Sequence, residues 1–321
     1  MNKIAILTSG GDAPGMNATI RSAVRTAIYN GMDVIGIEQG YEGLLNEYFR
    51  EMDLASVGDI IQRGGTILKT ARCQRFMEEK WQEKAAEILN RHGIDGVIAC
   101  GGDGTYRGAH ALARQGIPTI GLPCTIDNDM GYTDFTIGFD TAVNTVLSAI
   151  GNIRDTASSH NRTSIVEVMG RNCGDIAIYA GVAGGADCIM IPEVDVDMDA
   201  ICNKILTGLK RGKNHTIIIK AEGVNMPTNE IATIISNNTK QEVRSVILAY
   251  LQRGGSPSAS DRILASRMGS HAVMALKNGK SNIAIGVDGN QLTEHPLEIA
   301  VSTPSRPLNL DLLQLLDTLS I

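Results

Sequence analysis

Strand-length apolar runs alternate with helix-length stretches along almost the whole chain, and that alternation limits the fold more than any other feature. The runs cover residues 3–8, 33–37, 94–100, 117–122, 163–169, 187–191, 215–221, 243–248 and 282–287. Helical patterns lie between most of them, among them 16–29, 78–91, 106–115, 141–157 and 259–276. Repeated β-α-β units of this kind build parallel sheets with helices on both faces. Ligands in such sheets bind beyond the carboxyl ends of the strands. The turns that follow each run are therefore where chemistry is expected.

A chain of 321 residues can bury more than one core. The expected fold is α/β, with two lobes that each hold a mainly parallel sheet flanked by helices. No low-complexity linker separates them. The first lobe is expected to span 1–138 plus about 252–302, and the second 139–251 plus about 303–321, with a boundary near Gly138. A net charge of -6 argues against nucleic acid as a partner. Arginines still gather beside glycine turns (Arg72, Arg75, Arg154, Arg162, Arg171, Arg211 and Arg253), which suits small anionic ligands. The six cysteines show no CxxC and no zinc spacing, so reduced thiols in a cytoplasmic protein are expected. Met1 leads straight into an apolar strand without a signal core, and no run approaches the ~18 apolar residues of a membrane span.

Three of the turns carry the chemistry. Thr8-Ser9-Gly10-Gly11-Asp12-Ala13-Pro14-Gly15-Met16-Asn17 joins the first strand to a helix. Its glycines let a phosphate approach the backbone and the free N–H groups of the helix start; an ordinary strand-to-helix turn is the alternative. It matches neither GxxxxGK[ST] nor the dinucleotide spacing. Gly101-Gly102-Asp103-Gly104-Thr105 adds a carboxylate able to hold Mg²⁺, although an Asp capping a tight turn would read the same. In Pro123-Cys124-Thr125-Ile126-Asp127-Asn128-Asp129, two carboxylates stand two residues apart, so an extended backbone would point both to one side. One carboxylate can take a proton while the other faces a metal. Phosphoryl transfer needs such a base together with positive charge, for which Arg72 and Arg171 are the candidates.

Taken in order, TSGGDAPGMNA (8–18), RGGT (63–66), TARC (70–73), GGDGT (101–105), PCTIDND (123–129), TIGFDTA (136–142), MGR (169–171), AEG (221–223) and QRGGSP (252–257) resemble the bacterial-type ATP-dependent 6-phosphofructokinases almost end to end. The resemblance implies that Gly11, Arg72, Cys73, Gly102, Gly104 and Thr105 contact ATP and that Asp103 binds Mg²⁺. It implies that Thr125 and Asp127 meet the sugar, with Asp127 as base and Asp129, Arg72, Arg171 and Gly11 in the catalytic set. Met169, Gly170, Arg171, Glu222, Tyr250 and Arg253 would complete the fructose 6-phosphate site, with Arg162 and Arg244 reaching in from a neighbouring subunit of an oligomer, usually a tetramer. Arg21, Arg25, Arg154, Gly185, Asp187, Arg211, Lys213 and His215 match the family's pocket for ADP or phosphoenolpyruvate.

Several positions set this chain apart. Pyrophosphate-using relatives resemble the pattern with Asp where Gly104 stands and Lys where Cys124 stands, so ATP is the expected donor. Asp187 replaces the usual Glu, Leu54 stands where some members have Arg, and Tyr250 stands where His is common. The expected results are weakened or altered allostery, and a weaker sugar-phosphate affinity or a weaker pH dependence of it.

Overall fold

A computed structural model describes residues 1–320, Leu310 by its backbone alone. Ile321, which the sequence reading assigned to the second lobe, lies outside the described residues. The elements in chain order are β1 (Lys3–Thr8), α1 (Met16–Tyr29), β2 (Asp33–Ile37), α2 (Gly40–Leu45), β3 (Phe49–Met52), α3 (Glu79–Arg91), β4 (Gly96–Gly101), α4 (Asp103–Arg114), β5 (Thr119–Pro123) and α5 (Phe139–His160). There follow β6 (Thr163–Val168), α6 (Asp175–Ala183), β7 (Cys188–Met190), α7 (Met198–Lys210), β8 (Thr216–Ala221), α8 (Thr228–Thr239), β9 (Val243–Ile247), α9 (Ala259–Lys277), β10 (Ile283–Asp288), β11 (Gln291–Pro296), α10 (Leu297–Ser302) and α11 (Leu310–Leu319).

These elements fall into two compact units. One comprises Met1–Ile126, Met130–Thr141 and Arg253–Arg306; the other comprises Asp127–Asp129, Ala142–Gln252 and the chain from Pro307 onward. The first unit holds a seven-stranded sheet in the order β11-β10-β5-β4-β1-β2-β3. Its inner pairs are parallel, and Ile4 to Leu7 are wholly buried. That is why β1 reads as an unbroken apolar run: helices cover both faces of a central parallel strand. On one face Ala5, Leu7, Val97 and Ala99 pack against Leu44, Ile88, Leu89, Tyr106 and Leu112. Elsewhere in this unit α1 and α9 approach closely, because a Cβ on Gly269 would lie 2.8 Å from the Thr19 carbonyl oxygen.

The outer strands β3 and β11 pair antiparallel with β2 and β10. Neither is among the apolar runs of the sequence. An edge strand has one neighbour and needs little apolar surface, as Arg50 and Glu51 of β3 illustrate by their exposure. The second unit holds a wholly parallel sheet in the order β7-β8-β6-β9. Ile165 and Ile218, partners in register, pack there on Ile205, Ile231 and Ile235.

Candidate active site

In the first unit the carboxyl ends of the neighbouring strands β1, β4 and β5 feed the three motif turns. Ser9 N–H donates to the Cys100 carbonyl at 3.1 Å, carrying the β1–β4 pairing beyond Thr8. The Thr105 hydroxyl donates to the Ser9 carbonyl at 3.0 Å, and Thr70 donates to the Gly10 carbonyl at 2.7 Å. Asn17 Nδ2 donates to the Arg63 and Gly64 carbonyls, both at 3.1 Å, while its Oδ1 accepts from Ile67 N–H at 2.8 Å. The segments 8–17, 63–70 and 101–105 are thus stitched through backbone carbonyls.

The glycines here serve different purposes. A Cβ on Gly101 would fall 2.2 Å from Thr105 Oγ1 and 2.5 Å from the Ser9 carbonyl oxygen, so the protein itself demands glycine. A Cβ on Gly104 would meet nothing within 4 Å, so no protein neighbour explains its bareness. One on Gly102 would touch Thr125 Cβ at 3.5 Å, and one on Gly11 would come within 2.7 Å of Arg253 Nη1. Gly11, Gly102, Thr105, Thr125 and Arg253 therefore belong to one neighbourhood. Arg72 is exposed. Half-buried Cys73 donates its thiol to Glu42; burial first, and then that carboxylate, push the thiol upward. Cys124 is fully buried, with its sulfur 3.8 Å from the Thr19 hydroxyl.

Asp103 lies in the first turn of α4 and pairs with Arg107 at 2.9 Å; the two side chains are 45% and 69% exposed. Magnesium prefers hard oxygen donors and takes few of them from protein, the rest coming from phosphates and water. One accessible carboxylate opposed only by a flexible surface arginine fits that demand. Among the described residues there is no cluster of three or more His, Cys, Asp or Glu suited to a metal.

Of the residues expected at the sugar, the second unit holds Asp127, Met169, Gly170, Arg171, Glu222 and Tyr250, whereas Thr125 and Arg253 belong to the first. Asp127, with its side chain 3% exposed, holds Arg171 Nε at 3.1 Å from Oδ2, and the arginine is 55% exposed. The Arg171 N–H donates to Glu222 Oε1 at 2.9 Å, and Glu222 N–H donates to the Val168 carbonyl at 2.8 Å. The chain turns sharply here: Gly170 has φ 130° and Arg171 has φ 53°. Met169 is buried, its N–H donating to Gln252 Oε1 at 3.1 Å. Tyr250 is 75% exposed. Arg162 and Arg244 share Glu242, at 2.8 and 2.5 Å.

One expectation fails. The 127–129 segment is not extended, because Asn128 takes the left-handed conformation at φ 51° and donates to Asp175 Oδ2 at 2.8 Å. Strand-like alternation therefore does not apply to Asp127 and Asp129.

A third cluster lies in the second unit. Arg154 Nη2 donates to the Gly184 and Gly185 carbonyls at 2.5 and 2.8 Å. Asp187 is buried, paired with Lys213, and accepts from Ile217 N–H at 2.8 Å. Desolvation, reinforced by Arg154, holds His215 below its usual pKa. Asp187, Arg211 and Lys213 also line a cavity of about 360 Å³. Arg21 and Arg25 lie on α1 of the first unit.

Two supporting residues escaped the sequence reading. The buried Tyr41 hydroxyl donates to the Thr105 carbonyl at 2.6 Å, and its ring stacks on Phe76 at 4.3 Å between centroids. The one trace of this in the sequence is Gly108 inside a helix, where a Cβ would lie 2.5 Å from the Tyr41 ring. Asp261 accepts from Gly138 N–H and Thr141 N–H, both at 2.8 Å, and from the Thr141 hydroxyl at 2.5 Å. All six cysteines are free, and among the described residues no helix is long and apolar enough to cross a membrane.

Comparison with known proteins agrees with this arrangement. The phosphofructokinase family profile matches residues 3–276. An ATP-dependent 6-phosphofructokinase of Alkaliphilus metalliredigens is 55% identical over 306 residues, covering 95% of this chain and 96% of that protein. One from Clostridium botulinum (strain Eklund 17B / Type B) is 52% identical over 321 residues, covering 100% of both. The solved phosphofructokinase of Saccharomyces cerevisiae superposes with a TM-score of 0.88 at 35% identity, over 94% of this chain and 45% of the longer yeast chain. With the family profile spanning residues 3–276 and relatives more than half identical over nearly its whole length, the chain belongs to the phosphofructokinase family.

Proposed function

We propose that this chain transfers the γ-phosphoryl group of ATP to the 1-hydroxyl of fructose 6-phosphate, giving fructose 1,6-bisphosphate and ADP, a committed step of glycolysis. The observation that carries this reading is the Asp127–Arg171 pair, a buried carboxylate held 3.1 Å from a half-exposed guanidinium. Asp127 accepts the proton of the sugar hydroxyl. The oxygen so freed attacks the γ-phosphorus as its bond to the bridging oxygen breaks, and ADP leaves with that electron pair. Arg171 and Arg72 carry positive charge to the equatorial oxygens, where charge builds in such a transfer.

The first unit supplies the nucleotide contacts: Gly11, Arg72, Cys73, Gly102, Gly104 and Thr105. Asp103 would hold Mg²⁺, with Asp129 as its neighbour or orienting group; when bound, the ion neutralises phosphate charge. Thr125, Asp127, Met169, Gly170, Arg171, Glu222, Tyr250 and Arg253 take the sugar phosphate. Arg162 and Arg244, side by side on Glu242, serve a neighbouring subunit of a homo-oligomer, a tetramer in this reading. Arg21, Arg25, Arg154, Gly185, Asp187, Arg211, Lys213 and His215 form an effector site for ADP or phosphoenolpyruvate. The free thiols and the glycolytic role fit a cytoplasmic enzyme.

ATP is favoured over pyrophosphate as donor. The open space at Gly104 leaves room for a further phosphate, and the Cys124 thiol is turned into the core against Thr19. Initial rates with fructose 6-phosphate and either donor test the proposal. Turnover with pyrophosphate and not with ATP would reverse the donor assignment, and no turnover with either would end it.

A further inference from the structure

A buried charged network in the second unit lies outside all of these assignments. Glu167 of β6 and Lys220 of β8 are direct partners in the parallel register, one step beyond the apolar pair Ile165 and Ile218 on the same face. Lys220 Nζ lies 3.1 Å from Glu167 Oε2, with the two side chains 3% and 19% exposed. The same Oε2 accepts the hydroxyl of Thr228, itself buried, the first residue of α8. Two isosteric apolar residues would avoid the desolvation of this pair, so stability alone is a poor reason for it. What apolar residues cannot supply is direction.

The directions lead to the sugar-directed residues. Lys220 stands two residues before Glu222, and Thr228 stands at the far end of the same connection. Glu167 stands four residues before Arg171, and its carbonyl accepts from Leu248 N–H at 3.1 Å. Arg171 and Glu222 are joined by the 2.9 Å bond, and a Cβ on Gly223 would lie 2.1 Å from the Arg171 carbonyl oxygen. That spacing leaves no slack between the two strand ends. We infer that Glu167, Lys220 and Thr228 form a positioning network that sets Arg171 and Glu222 at the geometry the sugar phosphate needs. The inference rests on the proposed function of those two residues.

Thr228→Val, which keeps shape and removes the hydroxyl, is the first test, with Thr228→Ser as its rescue. Loss of one hydrogen bond to a carboxylate should raise KM for fructose 6-phosphate about tenfold. KM for ATP should stay near wild type, the melting temperature should fall only by the few degrees that one lost buried hydrogen bond costs, and Thr228→Ser should restore both KM and melting temperature. The double variant Glu167→Gln/Lys220→Met removes both charges together and should show the same selective rise. Calorimetric titration of fructose 6-phosphate without ATP should show the same weakening. An unchanged sugar KM in Thr228→Val, or parallel shifts in both KM values and melting temperature, would overturn the network. A wild-type chain that binds no fructose 6-phosphate would instead overturn the function on which it rests.

Discussion

Asp127 and Arg171 stand 3.1 Å apart, with the carboxylate almost wholly buried and the guanidinium half in solvent. In the proposed function Asp127 is the base that takes the sugar proton. Replacing Asp127 by Ser should lower kcat by about 10²–10⁴ if general-base catalysis applies. The KM for ATP should hardly move, because Asp127 is assigned to the sugar. Steady-state kinetics with both substrates varied will check this; a near-wild-type kcat would remove the base assignment.

Gly101 and Gly104 should respond to alanine in opposite ways. At Gly101 the methyl group meets the Ser9 carbonyl oxygen at 2.5 Å, and Gly101→Ala should destabilise the protein by about 1–3 kcal/mol. At Gly104, in the first turn of α4, the methyl meets nothing, so Gly104→Ala should unfold at a somewhat higher denaturant concentration than wild type and raise KM for ATP. Urea midpoints and nucleotide saturation curves separate the two effects.

Asp261 gives a pH dependence whose sign can be worked out. Burial raises its pKa above 3.8, against the opposing pull of its bonds to Thr141 and Gly138. A carboxyl raised in the folded state contributes its stability fully below the unfolded value and loses it as pH climbs through the folded one. Asp261→Asn removes that titration. From about pH 3.8 upward, wild type should lose stability relative to the variant, and the difference should level off once the carboxyl is fully ionised. Urea unfolding at several pH values will show the slope, and parallel curves would refute it.

Tyr250 is exposed and carries no positive charge near neutral pH. Tyr250→His should therefore lower KM for fructose 6-phosphate, most strongly below the ordinary histidine pKa of about 6.5. Equal KM values for both proteins across the range from about pH 6 to about pH 8 would exclude a role for this position.

Asp187 is held by Lys213 and the Ile217 N–H, which leaves its carboxylate little capacity for an effector. The effects of ADP and phosphoenolpyruvate on fructose 6-phosphate saturation should therefore be weakened, with only shallow sigmoidicity. A steeply sigmoidal curve with full phosphoenolpyruvate inhibition would contradict this.

The central strands were legible because a strand covered on both faces is apolar at most positions, and β1 and β2 match their apolar runs end for end. β3 and β11 left no such trace, since one-sided edge strands tolerate Arg50, Glu51 and Glu294. In the candidate site, glycine and carboxylate spacing marked the turns. The bend at Asn128 was invisible, because a side-chain bond to Asp175, forty-seven residues away, accompanies it. Tyr41 acts through one bond to the Thr105 carbonyl and Asp261 through three from Gly138 and Thr141, all remote in sequence, and no local pattern records such bonds.

The close approach of Gly64 to Gly255 reaches beyond folding. A Cβ on Gly64 would sit 2.3 Å from the Gly255 carbonyl oxygen, so the turns around these two residues touch main chain to main chain. Gly64 cannot acquire a side chain while Gly255 stays as it is, whereas at Gly255 a Cβ would meet nothing within 4 Å and only the left-handed φ of 93° favours glycine. Over generations position 64 is bound to the path of the neighbouring main chain, and a library that randomises Gly64 alone will return mostly unfolded clones.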